Sequence, residues 1–182
     1  MATSASRPPL DVIVRRPGED DHARLERVID QWWGERGRGR LPRFWLRNFS
    51  GTSWLAETPN GSPVALLIGF VSPDRPTEAV LHLVATSPGR RRLGLARDLA
   101  SRFAIDARAR GAHEIQAVVW PGNPGGVAFL RAIGFSAVES PGGARLYGTP
   151  AIADYDGDGE DRSIFRLDLA ATGSLPDRPE VR

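Results

Sequence analysis

The chain contains no cysteine and no lysine. Without a thiol there is no disulfide, no thiolate metal site and no cysteine nucleophile. The missing lysine removes the phosphate loop GxxxxGK[ST], and GxGxxG does not occur either, so neither familiar nucleotide-binding loop is available. All 24 cationic side chains are arginine, set against 22 carboxylates for a net charge of +2, too close to balance for charge alone to imply nucleic-acid binding. The apolar runs are far short of a membrane span, and the opening MATSASRPPL lacks the hydrophobic core of a signal peptide. A cytoplasmic protein with no membrane partner is expected.

What is present is ordinary globular composition: 182 residues, 41% hydrophobic and 25% charged, enough for one domain with a sizeable core. The Ser/Ala/Pro-rich residues 1–9 and the segment 170–182 read as tails, which leaves 10–169 as the domain. Within it, Val12 to Arg15 predicts a strand. Gly18, Glu19 and Asp20 then open a helix through Leu25, Val28, Ile29 and Trp32. A second, arginine-rich helix is expected over Leu41 to Phe49. Trp54 to Glu57 and Val64 to Val71, separated by PNGSP, predict a hairpin, and Ala79 to Thr86 predicts a third strand. Leu93, Ala96, Leu99, Phe103 and Ala107 recur at helical spacing up to Gly111. Glu114 to Trp120, Phe135 to Val138 and Ser163 to Leu169 supply the remaining strands, with a short helix in NPGGVAFLRAIGF. The order is mixed α/β without internal repeats.

Between the third strand and its helix lies SPGRRRLGLA, Ser87 to Ala96. A strand, a short turn and a helix start aim unpaired NH groups and the positive end of the helix dipole at the turn, a ready cradle for an anion. Gly94 and the small Ala96 would admit a ligand close to the backbone, and rim arginines would add charge-assisted bonds. A solvated, arginine-rich helix start is the other reading of the same run.

A second motif decides between them. Asn123 is followed eleven positions later by Gly134 and Phe135. RRLGLA, Arg91 to Ala96, resembles the R/Q-x-x-G-x-G/A signature of the GNAT family of N-acetyltransferases, and the Asn123 to Phe135 segment is similar to that family's second cofactor motif. The resemblance extends in element order from Val12 to Leu169. A further likeness, in LHLVAT and DYDGDGEDR, is to a bacterial subgroup that brings no substrate with it.

The resemblance implies an α/β GNAT fold: a central mixed, mostly antiparallel sheet flanked by helices, whose fourth and fifth strands, here Ala79 to Thr86 and Glu114 to Trp120, splay to admit the pantetheine arm of acetyl-CoA. Val84, Ala85 and Thr86 would orient the thioester. The turn Arg91, Arg92, Leu93, Gly94, Leu95 and Ala96 would hold the pyrophosphate, with Asn123 and Phe129 completing the cofactor site. The implied reaction is direct transfer of acetyl to an amine of a small molecule or peptide, by a monomer or homodimer. The alternative is a non-catalytic acyl-CoA-binding module. It is motivated by Leu130, which stands where the family often has a tyrosine acting as general acid. That loss bears on mechanism more than on reaction class. A thiol of pKa about 8.5 departs tolerably as thiolate, and acid assistance is worth about 10²- to 10⁴-fold.

For proton transfer, His82 is the one polar side chain inside the third strand, and it reads either as a base or as a core histidine bonded to backbone. Glu78, near the start of that strand, is the second candidate base. Tyr147 and Tyr155, the two tyrosines, are the remaining hydroxyl sources, with Tyr155 carried as a catalytic candidate. The acidic loop Asp154 to Asp161 begins like a calcium loop, but Phe165 occupies the position of the closing glutamate, so no metal is expected. Its carboxylates, Asp154 and Asp156 first, would instead attract a cationic amine. Trp32, Trp33 and Phe44, in the segment that shapes acceptor sites in the family, are the remaining acceptor-pocket candidates. RNA binding through the arginines between residues 36 and 47 is disfavoured, because no aromatic stacking platform accompanies them.

Overall fold

The computed structural model describes residues 11–33 and 41–170, apart from the side chain of Trp33. The expected tails and most of the stretch between the first two helices therefore lie outside the described residues. In chain order the elements are β1 (Ile13–Arg15), α1 (His22–Trp33), α2 (Arg43–Phe49), β2 (Trp54–Glu57), β3 (Pro63–Val71), β4 (Glu78–Thr86), α3 (Leu95–Ala109), β5 (Glu114–Val119), α4 (Pro124–Ala132), β6 (Ser136–Ala137), β7 (Arg145–Leu146), β8 (Thr149–Pro150) and β9 (Ser163–Asp168).

Seven strands form one sheet in the order β1-β2-β3-β4-β5-β9-β6. Every neighbouring pair is antiparallel except β4 and β5. A parallel pair needs a crossover, which α3 supplies. The mixed, mostly antiparallel sheet flanked by helices is as the sequence reading expected. Among the described residues no helix is long and apolar enough to cross a membrane.

Two hydrophobic layers sandwich the sheet. On one face, Leu95, Leu99 and Phe103 of α3 and Val127, Leu130 and Ile133 (the last just past α4) pack against Ala65, Leu67, Ile115, Ala117, Phe165 and Leu167. On the other, Leu25, Ile29 and Trp32 of α1 and Leu46 of α2 cover Leu55, Leu66, Ile68, Leu83 and Ala85. Gly69 lets α3 come close: a Cβ there would stand 2.6 Å from the Phe103 ring.

The entry of α1 rests on a network that the sequence pattern did not reveal. Glu19, Asp20 and Asp21 form a 3-10 turn, and it is Asp21, not Glu19 or Asp20, whose carboxylate takes the Gly18 amide, at 2.7 Å. Arg15 of β1 donates to both Asp21 (2.8 and 2.9 Å) and Glu57 of β2 (2.9 and 3.1 Å), while Arg24 of α1 bridges the same two carboxylates. Hydrogen bonds from Arg15 outweigh burial and hold the Asp21 and Glu57 carboxyls below the usual carboxylate range.

Candidate active site

β4 and β5 are paired only from Glu78 and Glu114 to Leu81 and Ala117. Beyond that point each keeps its other neighbour: β4 stays on β3 as far as Thr86, and β5 stays on β9 as far as Val119. The two central strands therefore part, and among the described residues no strand pairs with the β5-facing edge of Leu83 to Thr86.

β4 also carries an extra residue. Leu83 pairs with Ile68 and Leu81 with Gly69, so His82 is the bulged position. The bulge reverses the alternation of side chains. Ala79 and Leu81 belong to the α3 layer, whereas Leu83 and Ala85 belong to the α1/α2 layer. His82 stands on the α1/α2 side and is exposed, with its ring stacked on Trp45 of α2 at 3.9 Å between centroids and 22° between planes. The core reading of His82 is thereby corrected: a bulged residue at the parting of two strands projects outward. Ala85 is buried, and Val84 and Thr86 are half-buried, so these three side chains anchor the strand.

The turn after β4 is built for a close approach. Pro88–Arg90 forms a 3-10 turn, Arg92 takes φ +60, and Gly94 caps α3 at φ +91. The helix thus starts at Leu95, after the arginine run. The first amide bonded back into the helix cap is that of Asp98, to the Gly94 carbonyl at 2.9 Å, so the amides of Leu95 and Ala96 lie ahead of the helix's own hydrogen-bond ladder. A Cβ at Gly94 would meet nothing within 4 Å, so the space before these donors is open. Leu95 is buried, Leu93 and Ala96 are half-buried, and Arg92 is exposed. Arg91 does not stand free at the rim. It donates to the Trp32 carbonyl at 3.1 Å and to that of Thr86 at 3.4 Å, tying the turn to α1.

At the end of β5, Asn123 accepts from the Gly126 amide at 3.0 Å and so caps α4. Phe129 is half-buried against the core, and Leu130 is only 4% exposed within it. The family's tyrosine position here is a packing position.

The other candidates are dispersed. Glu78 is buried at the far end of β4, about 20 Å of strand from Val84, with Arg75 at 3.7 Å. Tyr155 is half-exposed in the acidic loop. There Asp154 accepts from the Gly159 amide at 2.7 Å and Asp156 pairs with Arg162 at 2.7 Å, so both carboxylates hold the loop itself together. Trp32 is buried between α1 and the sheet. Phe44 is 56% exposed and packs edge-on against Trp45 and Phe49. Trp33's side chain is outside the described residues.

Three features had no clear signal in sequence: the bulge, the platform under His82, and a short hairpin of β7 and β8. At the tip of that hairpin Tyr147 (φ +51) and Gly148 (φ +74) form the doubly positive turn that such hairpins use, and the Tyr147 ring meets Trp120 edge-on at 6.1 Å. An Asn-Gly or Asp-Gly pair would have flagged this turn; Tyr-Gly did not.

A family model described as the acetyltransferase (GNAT) family matches residues 15–135. An L-2,4-diaminobutyric acid acetyltransferase of Nocardia farcinica is 30% identical over 106 residues, 58% of this chain and 52% of that one. Its counterpart in Streptomyces anulatus is 44% identical over 52 residues, covering 29% and 30%. The chain thus spans about half, or less, of these relatives' length. Among solved structures, Chaetomium thermophilum Naa20 in complex with a bisubstrate analogue superposes with a TM-score of 0.69 at 19% identity, over 91% of this chain and 92% of that one. A diaminobutyrate acetyltransferase of Paenibacillus lautus, in complex with its substrate and coenzyme A, gives 0.61 at 22% identity, over 88% and 96%. At such identities these structures share the fold. With the family model covering β2 to β5, the parted strands and the turn before α3, the chain belongs to the acetyltransferase (GNAT) family.

Proposed function

We propose that the protein transfers an acetyl group from acetyl-CoA directly to a primary amine, without an acyl-enzyme. The observation that carries this reading is the parting of β4 and β5 beside the Gly94-capped start of α3. The edge of β4 beyond its pairing with β5 can hydrogen-bond an extended amide-bearing arm, and the amides at the start of α3 can hold a diphosphate. Acetyl-CoA would supply an activated acyl group with a thiolate leaving group. Val84, Ala85 and Thr86 offer backbone groups at the open edge, and the turn from Arg91 to Ala96 offers donors.

The chain's own part in the chemistry is to accept the ammonium proton and exclude water. His82, exposed at the parting point and oriented by Trp45, is the side chain best placed for the proton, directly or through water. Glu78 is a weaker candidate, because the length of β4 separates it from the gap. Leu130 lies in the core, so the thiolate leaves without help from that position. Tyr155 and Tyr147 are the hydroxyls on the hairpin and loop between β6 and β9.

Four curated relatives bear the name L-2,4-diaminobutyric acid acetyltransferase, which makes that diamine the first acceptor to try. The deciding experiment follows release of the CoA thiol from acetyl-CoA across a panel of diamines, amino acids and N-terminal peptides. Acceptor-dependent release is the expected result. Binding of acetyl-CoA without release for any amine would favour the non-catalytic module instead. The boundaries 10–169 for the domain and a cytoplasmic location are part of the same proposal.

A further inference from the structure

The α1/α2 layer draws its core residues from β2, β3 and β4 and none from β5 or β9. Among the described residues, no α1 or α2 core residue covers the sheet on that side beyond the parting point. Strand alternation says which residues line it. Ile115, Ala117, Phe165 and Leu167 are buried in the α3 layer, so Gln116, Val118, Ile164 and Arg166 face the opposite way. Their exposure agrees: the first three are half-buried and Arg166 is exposed.

Gln116 and Arg166 are direct cross-strand neighbours. No side-chain hydrogen bond of either is found among the described residues. The ionic partner of Arg166 is Glu114 at 3.7 Å, beyond hydrogen-bond range. This contrasts with Arg15, Arg16, Arg91 and Arg162, each of which is committed to carbonyls or carboxylates at 2.7–3.1 Å. Val80 pairs with Gln116, and His82 stands two residues further along β4. With strands about 4.8 Å apart and a rise of about 3.3 Å per residue, the Cα of Arg166 lies about 10 Å from the gap beside His82. An extended arginine and a short amino acid together cover that distance.

We propose that Arg166, with Gln116 beside it, binds a carboxylate on the acceptor, so that the protein selects amines of the amino-acid class. This rests on reading the β4–β5 gap as the place of transfer. The guanidinium fork matches a carboxylate with two parallel bonds, and the Gln116 amide adds a third donor. Val118 gives the floor an apolar surface that strengthens these bonds. The long contact with Glu114 contributes little and leaves the fork available.

The test is calorimetric titration of the protein, in millimolar CoA, with matched pairs: 2,4-diaminobutyrate against 1,3-diaminopropane, and ornithine against putrescine. In the wild type the carboxylated member of a pair binds about 10-fold or more tighter. In Arg166→Gln that advantage falls to about 3-fold or less, while diamine affinity and the thermal shift given by CoA are unchanged. Equal affinity within each pair, an advantage that survives Arg166→Gln, or binding by no member would overturn the proposal. Transfer is read separately: carboxylate selectivity without acetylated product would overturn the acyltransferase reading and leave the carboxylate site standing.

Discussion

Three single residues carry much of the account. Gly94 adopts φ +91 with open space before it. Gly94→Ala should cost about 1 kcal/mol in stability for the left-handed backbone, whereas Gly94→Glu should also abolish the melting shift given by acetyl-CoA. His82 is exposed, so His82→Gln tests chemistry with little structural loss. Turnover should fall about 100-fold, while stability drops by no more than about 1 kcal/mol for the lost stack on Trp45. Wild-type turnover in the folded variant would remove His82 from the mechanism. Leu130 is core, so Leu130→Tyr should destabilise the protein by about 1–3 kcal/mol and bring no gain in turnover. Chemical denaturation of each purified variant supplies these stabilities. The sequence marked all three positions, and it marked Gly94 most securely, because a glycine between a strand and a helix has few other uses. It could not say which way His82 points. In an uninterrupted strand, Ala79, Leu81, Leu83 and Ala85 share a face, and only the pairing with β3 reveals the extra residue.

Among the elements, the parting of β4 from β5 was expected from the family likeness, not from residue pattern, because nothing in two mainly apolar runs says where their pairing stops. The β7–β8 hairpin escaped notice because its strands have two residues each. The junction of β1, α1 and β2 was equally hidden, since Arg15, Asp21, Arg24 and Glu57 look like surface charge until the fold gathers them. Its energetics are testable by pH. Asp21 and Glu57 have folded pKa values below their ordinary 3.8 and 4.5. The unfolded chain therefore binds more protons, and this stabilisation is fully present above about pH 5 and declines progressively below about pH 4, as pH falls toward the folded values. Melting temperature followed from pH 7 to pH 3 should show that decline. Asp21→Asn should lower stability at pH 7 by about 2 kcal/mol and flatten the acid limb. An unchanged limb in the variant would place the acid sensitivity elsewhere.

For the molecule as a whole, two helices on one face and two on the other fix a seven-stranded sheet, and the sheet's own discontinuity makes the site. Helices α1 and α2 cover the half of their face over β2 to β4, and among the described residues none of their core residues packs on β5 or β9; in the proposed function the acceptor approaches the gap from that side. The acidic loop, bound to itself through Arg162 and backbone amides, has less charge to offer a cationic amine than its sequence implies. In the proposed function the gap and the α3 turn together form the acyl-CoA site. It is tested most directly by the melting temperature of wild type and Gly94→Glu with and without acetyl-CoA. A ligand at about 100 times its Kd adds about 2.7 kcal/mol, a rise of about 5–10 °C for a chain of this size. That rise is expected in the wild type and none in Gly94→Glu; no shift in the wild type at millimolar acetyl-CoA, or an equal shift in the variant, would rule out an acyl-CoA site there.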